Sequence, residues 1–249
     1  MENDLFIQKR FIELSNLADK KGIVTFSDFL DMHEQSQLNF VKNNLYTDYK
    51  TYGGYDFAER QIIAFIPDAL YYIWNYPIVY LEVKPLSKKY SEKLSHRDIL
   101  GSLMNLGLER SKIGDIVFVE DKAYIICLET VAPYITENLS RVKHTSVMCS
   151  VKEPDEFSYT PKYTDKEGVV ASNRLDVIIA LAFNLKRNDA VNLIQDAKVF
   201  VNAKLVTSNA YFCKDGDIIS VRTKGKFMFE KALGITQKGR SRVALKIYS

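Results

Sequence analysis

Three cysteines, three histidines and one tryptophan are all that the 249 residues hold of these types. Cys127, Cys149 and Cys213 are single, widely spaced and odd in number, which fits neither a disulfide framework nor a C-x-x-C metal or redox site. They are expected as buried thiols in a reducing compartment. His33, His96 and His144 stand outside metal-ligand spacing of any cysteine or of one another, which argues against zinc. Glycine occurs 11 times, yet no G-x-G arrangement exists, so the fingerprints of dinucleotide and methyl-donor binding are missing. A P-loop and a G-x-S-x-G nucleophile elbow are missing too. No apolar run approaches the roughly 18 residues of a membrane span, and the start, MENDLFIQKR, carries acids where a signal peptide has a basic region. These absences predict a cytoplasmic protein without catalytic residues, metal or cofactor.

What the chain does have is a lopsided charge. Residues 1–170 hold 20 Lys and Arg against 25 Asp and Glu, whereas residues 171–249 hold 14 against 6. A basic end on an otherwise acidic chain points to a polyanion partner. Nucleic acid fits better than a membrane surface, because no basic amphipathic helix is evident.

Residues 5–21 show helical spacing and end in Lys20, Lys21 and Gly22, a basic last turn with a glycine stop. Residues 26–41 read as a second helix capped by Ser27. The stretch YKTYGGYDFAERQIIAFIPDALYYIWNYP has a turn at Gly53-Gly54 and a short strand at RQIIAFIP. Its aromatic density reads first as a packed core, with an RNA stacking platform as the other reading. From Tyr76 the order is strand PIVYLEVKP, helix SHRDILGSLMNLG, strands GDIVFVED and KAYIICLET meeting at Asp121-Lys122, helix VAPYITENLSRV and strand TSVMCSVK. That is the ferredoxin-like βαββαβ motif, also used by RNA-recognition modules. The aromatic run of such modules is absent, since KAYIICLET offers only Tyr124. His96-Arg97-Asp98 spells the kinase tripeptide without the rest of that site, and Ser95 with Asp98 at N3 reads instead as a capping box.

Residues 154–170, rich in acids and with two prolines, read as a linker. The expected organisation is an α-rich N-terminal domain over 1–75, a ferredoxin-like domain over 76–153, the linker, and a basic domain over 171–249. The fold class is α+β.

In the basic domain Leu175, Ile178, Ile179, Ala182 and Leu185 form one helical stripe, with Asn173 as cap and Asp176 at N3. A second helix has Asn188 as cap, buries Ala190, Leu193, Ile194 and Ala197, and leaves Asp189, Asn192, Gln195 and Asp196 to solvent. Arg174 and the pair Lys186-Arg187 fall at the helix starts, where a cation costs about 0.3–1 kcal/mol against the helix dipole. Free backbone N–H groups with a nearby guanidinium make a phosphate seat, which would offset that cost. The plainer reading is a solvated charged surface; three such residues in so basic a segment favour phosphate.

Arg174-Leu175-Asp176, Lys186-Arg187-Asn188-Asp189-Ala190, Leu193-Ile194, Lys198-Val199-Phe200-Val201-Asn202 and Gly216-Asp217 resemble the S4 RNA-binding domain. Its pattern is roughly R-L-D, S-R-x-x-A, L-I-x-x-G-x-V-x-V-N-G and G-D. Ala197 and Ala203 stand where that family prefers glycine, and Lys186 where it has serine. The family's RNA-facing surface comes from the two helices and the start of the hairpin, so the resemblance implies RNA contacts by Arg174, Lys186, Arg187, Asn192, Lys198, Asn202 and Lys204. Further on, ITQKGRSR reads as a hairpin tip, where Lys238 and Arg240 either contact phosphate or are simply solvated.

Upstream, GGYDFAERQIIAF and KLSHRDILGSLMNLGLERSKIGDIVFV resemble the signature stretches of YlmH-type S4 proteins. That resemblance implies a bacterial RNA-binding protein that associates with rRNA of the large ribosomal subunit and with tRNA in the rescue of stalled translation. The N-terminal domains are expected to contact another part of the ribosome or a protein partner. Members of that family have also been linked to cell division. The competing expectations are an S4-containing RNA-modifying enzyme, of pseudouridine synthase or methyltransferase type, and a division-related adaptor.

Overall fold

The structure, a computed structural model, describes residues 2–87, 92–119, 122–202 and 204–248. The chain divides into two compact units, Met1–Tyr159 and Thr160–Ser249.

The first unit opens with helix α1 (Glu2–Lys21), whose basic last turn gives way to Gly22 at φ +62°, a left-handed stop that only glycine takes without steric cost. Strand β1 (Thr25–Phe26), the short helices α2 (Met32–Ser36) and α3 (Leu38–Val41), and strands β2 (Asp48–Tyr52) and β3 (Ile62–Ile66) follow. The three strands form an antiparallel sheet in the order β1-β3-β2. The expected helix over 26–41 is therefore two short ones. Ser27 does not cap: its hydroxyl accepts the Ile63 N–H at 2.9 Å, on the sheet side. Asp31 caps instead, in a reciprocal capping box with Glu34.

Next come β4 (Ile78–Pro85), α4 (His96–Asn105), β5 (Ile113–Val119), β6 (Lys122–Leu128), α5 (Ala132–Asn138), β7 (Arg141–Val142) and β8 (Thr145–Lys152). They form an antiparallel sheet in the order β5-β6-β4-β8-β7, the ferredoxin-like arrangement that βαββαβ predicts, with β7 as a short added edge. Asp121, expected at the β5–β6 turn, lies outside the described residues. Ser95 and Asp98 form the expected capping box at the start of α4. Alternation along β4 and β6 divides the sheet's two faces. Leu81, Val83, Ile125 and Cys127 pack with Ile99, Leu103 and Ile135 of the helices. Tyr80, Ile126 and Leu128 pack on the other side with Phe29 and Ile62 of the N-terminal region.

The GGYDFAER stretch makes the seam between those layers. At Gly53 a Cβ would fall 2.3 Å from the Arg60 carbonyl oxygen, and Gly54 has φ +98°. The Tyr80 hydroxyl donates to the Gly54 carbonyl at 2.6 Å. Asp115 on β5 accepts from the Tyr55 hydroxyl (2.9 Å) and from the Glu59 and Arg60 N–H groups (2.7 and 3.1 Å). The Arg60 guanidinium donates to the Phe29 and Ile113 carbonyls at 2.7 and 3.0 Å. A half-buried seam held by charge-assisted bonds to backbone joins the regions expected as separate domains over 1–75 and 76–153 into one unit.

The second unit begins with β9 (Tyr163–Val170), then α6 (Leu175–Phe183), α7 (Arg187–Gln195), β10 (Val199–Val201), β11 (Lys204–Leu205), β12 (Asp217–Val221), β13 (Gly225–Ile235) and β14 (Ser241–Tyr248). Its antiparallel sheet has the order β11-β10-β12-β13-β14-β9. Leu175, Ile178, Ile179 and Ala182 of α6 and Ala190 and Ile194 of α7 are buried against Val199, Val201, Ile219, Phe227, Phe229, Val243 and Leu245 of the strands. The stripes expected on both helices thus meet one sheet face.

Residues 154–170 are not a linker throughout. From Tyr163 to Val170 they pair residue for residue with β14. Two contacts then tie β9 to α6. The Lys166 ammonium donates to the Ala182 carbonyl (3.2 Å) and to Asn184 Oδ1 (2.7 Å), placing a cation at the helix's negative end. At Gly168 a Cβ would come within 2.6 Å of Leu181 Cδ1. Gly168→Val should therefore destabilise the chain by about 1–3 kcal/mol, the usual cost of overpacking. Urea unfolding followed by circular dichroism measures this, and an unchanged midpoint would mean that Leu181 yields.

Candidate nucleic-acid interface

Both helix starts in the second unit differ from expectation by a residue or two. Arg174, rather than Asn173, is the N-cap of α6, and Lys186, rather than Asn188, is the N-cap of α7; neither caps with its side chain. The cause at α6 is a short strand-like pairing. The Leu175 N–H donates to the Tyr211 carbonyl and the Cys213 N–H to the Asn173 carbonyl, at 2.8 and 2.9 Å, which holds Arg174 extended at φ −66°, ψ 143°.

Asp176, in the first turn of α6, is fully buried. Arg174 Nε donates to Asp176 Oδ1 at 3.0 Å, with its second nitrogen 3.4 Å from Oδ2, and Arg187 Nε donates to Oδ2 at 2.8 Å. One carboxylate therefore gathers the cations from both helix starts. Burial pushes the Asp176 carboxyl up, and the hydrogen bonds from Arg187 and Arg174 outweigh it, leaving the group below its usual value. The carboxylate also lies at the positive end of α6, where an acid is favoured. Two guanidiniums on one carboxylate leave an excess positive charge. The Arg174 and Arg187 side chains are 32% and 59% exposed, so they are held in place and still reach solvent. Lys186, next to Arg187, is exposed.

The other expected contacts spread away from this pair. Asn192 is exposed on α7. Lys198 follows the far end of that nine-residue helix, about 13 Å from Arg187 along the axis, and pairs with Asp196 at 2.9 Å. Asn202 has both ends of its amide engaged. Its Oδ1 accepts the Ile218 N–H (2.9 Å), and its Nδ2 donates to Asp217 (2.8 Å). Asp217, buried, also accepts from the Tyr211 hydroxyl and the Lys214 N–H. The Asn202 and Gly216-Asp217 elements of the pattern thus lock the loop that runs beside α6. Lys204 is exposed on β11, while Ala203 lies outside the described residues. Lys238 and Arg240 are exposed at the tip between β13 and β14, at the end of the sheet from which the chain enters α6, since Ser241 pairs with Val170.

Ala197 keeps the backbone that the missing glycine would favour, with φ +56° and the Lys198 N–H donating to the Leu193 carbonyl at 3.0 Å, a Schellman-type helix end. The turn before Lys198 is therefore strained rather than rebuilt.

In the ferredoxin-like domain the sheet face that stacks bases in RNA-recognition modules is covered. Phe157 stacks on Tyr80 with ring centroids 4.6 Å apart, and it meets Tyr124 and Tyr55 edge-on. Phe26, Trp74, Tyr76 and Tyr52 pack on one another half-buried, whereas Tyr71 and Tyr72 of the same stretch are 95% and 46% exposed, so the core reading holds for only part of it.

Residues 173–219 match the S4 domain family, and residues 74–156 match the family described as "Putative RNA-binding domain in YlmH". The chain thus carries an S4 domain and, ahead of it, a region similar to the RNA-binding domain of YlmH-type proteins. It is 28% identical over 239 residues to the "Ribosome-associated protein quality control protein P2" of Bacillus subtilis, covering 94% of this chain and 91% of that relative. Among solved structures, "Cell division protein ylmH from Streptococcus pneumoniae" superposes with a TM-score of 0.50 at 20% identity, covering 62% of this chain and 93% of that one. That second likeness is one of fold. Among the described residues, no helix is long and apolar enough to cross a membrane.

Two measurements probe this region. Ala197→Gly should raise stability by about 1 kcal/mol, because it removes a Cβ from a left-handed position; a lower thermal midpoint would contradict the strain. Asp176, with a depressed folded pKa, contributes stability that is present above its unfolded value near 3.9 and lost as pH falls through the folded value. Asp176→Asn should cost about 1.5–3 kcal/mol at neutral pH, the scale of hydrogen bonds to charged groups. The gap to the unsubstituted chain should narrow below about pH 4. Denaturant titrations across that range read both effects, and a gap independent of pH would count against the ion-pair role.

Proposed function

We propose that the chain binds structured rRNA or tRNA on the large ribosomal subunit through its S4 domain, and that it acts without catalysis in the quality control of stalled translation in the cytoplasm. The observation that carries this reading is the pair Arg174 and Arg187, fixed by Asp176 at two helix starts and still open to solvent. The start of α7 and two preset guanidiniums suit phosphate oxygens, and their geometry is set before RNA arrives; at α6 the Leu175 N–H is already bonded to Tyr211, so Arg174 acts there through its side chain. The second unit as a whole holds 16 Lys and Arg against 8 Asp and Glu, which supports a polyanion partner. The printed name of the Bacillus subtilis relative supports the ribosomal setting.

In this reading phosphate contacts by Arg174, Lys186, Arg187, Lys198 and Lys204 position the chain on a folded RNA, with Lys238 and Arg240 at the hairpin tip as outlying contacts. Asn192 offers an amide from the exposed side of α7. Asn202 acts mainly by shaping the loop, since its amide is engaged. The first unit meets another part of the ribosome or a protein partner.

The chain should cosediment with large ribosomal subunits through a sucrose gradient. Arg174→Ala with Arg187→Ala should weaken that association and lower the slope of log K against log salt by roughly one unit per lost phosphate contact. Sedimentation of the double variant indistinguishable from that of the unsubstituted chain would remove the site from consideration.

A further inference from the structure

Phe212 is a large apolar side chain that the C-terminal core does not take up: it is 59% exposed, whereas Cys213 beside it is buried and Tyr211 is tied through its hydroxyl to Asp217. Its place is set by the pairing that holds the start of α6. Arg174 and Phe212 form an antiparallel bridge, and the flanking bonds, Leu175 N–H to the Tyr211 carbonyl and Cys213 N–H to the Asn173 carbonyl, make them a directly opposed pair without mutual hydrogen bonds. In such pairs the two Cα atoms approach to about 4.5 Å and the side chains leave the backbone on the same side. The Arg174 guanidinium is turned to Asp176. The loop bearing Phe212 is locked by Asp217, which takes bonds from Asn202, Tyr211 and the Lys214 backbone.

We infer that Phe212 is a stacking platform for an unpaired RNA base whose neighbouring phosphate is held by Arg174 and Arg187. This rests on the reading of that arginine pair as a phosphate seat. An aromatic ring beside fixed cations is the combination that single-stranded nucleic acid needs, because every base has a face to stack and every nucleotide a phosphate to neutralise. It gives the interface a preference for loops, bulges or ends over continuous duplex. Solvent exposure of an apolar ring on a locked loop, next to the cations, is then part of the binding surface. The sheet face of the ferredoxin-like domain, covered by Phe157, does not offer a competing platform.

The test compares the full-length chain with Phe212→Ala, Phe212→Trp and Arg187→Ala, using a hairpin RNA with an unpaired loop and a blunt duplex of the same length, each titrated at several salt concentrations. Phe212→Ala should weaken binding of the looped RNA roughly 5- to 150-fold, the span of base–aromatic stacking, with its salt slope unchanged and duplex binding unaffected. Phe212→Trp should keep the affinity. Arg187→Ala should weaken both RNAs and make the slope shallower by about one unit. Thermal melting of Phe212→Ala should match the unsubstituted chain, as befits a ring that is largely in solvent. If Phe212→Ala binds the looped RNA as well as the unsubstituted chain while Arg187→Ala does not, the platform falls and the phosphate seat stands. If Phe212→Ala weakens both RNAs alike with a shallower slope, the ring acts only through the arginines, and the platform falls too. If neither variant changes binding, both readings fail together.

Discussion

A single buried carboxylate organises the basic end of this chain. Asp176 sits in the first turn of α6, yet one of its two partners comes from α7, so the ion pairs fix the two helix starts against each other as well as holding the arginines. Without that acid, two guanidiniums close together at the positive ends of two helices would repel and disperse. With it, they remain together and keep a net positive charge, because one anion cannot cancel two cations. The arrangement resolves the conflict between helix electrostatics and cation placement inside the protein itself, and still leaves room for an external anion.

The order of helices and strands was legible because both periods were clear: alternation along PIVYLEVKP and KAYIICLET, and helical spacing from Leu175 to Leu185. What escaped notice were elements whose burial is slight. Strand β9 buries only Val170 and otherwise exposes or half-exposes Tyr163 to Val169, so it carries no apolar alternation and resembles a linker in composition. Strand β2 is similar, with four of its five residues exposed. Both are edge strands, held by backbone pairing that leaves no trace in side-chain pattern. Cap positions were misplaced for a related reason. Arg174 takes the cap because a loop nearly forty residues further on pairs with the backbone around it, and that pairing is invisible locally.

For the site, the residue types were readable and their relations were not. Arg174 and Arg187 stood out as cations in awkward places, while Asp176 looked like an ordinary helix-start acid; only the fold brings all three within hydrogen-bonding distance. Asn202 matched a pattern associated with RNA contact, and the structure shows its amide spent on Ile218 and Asp217. Phe212 carried no signal at all, since a lone phenylalanine in a loop is indistinguishable by sequence from one that is buried. In the first unit the GGYDFAER stretch had the look of a signature, and its physical content is the seam built from Gly53, Gly54, Tyr55 and Arg60.

The pairing of β9 with β14 has a kinetic side. The strand that opens the second unit lies beside the strand that closes it, with Tyr163 opposite Tyr248. During synthesis, α6 and α7 emerge well before β14 and have only part of the sheet to cover their apolar stripes. Closing such a long loop costs entropy before any contact repays it, so this unit should fold late and cooperatively, with a high proportion of contacts between distant residues. A nascent chain stalled before β14 would hold the arginines of both helix starts without the sheet that completes their setting.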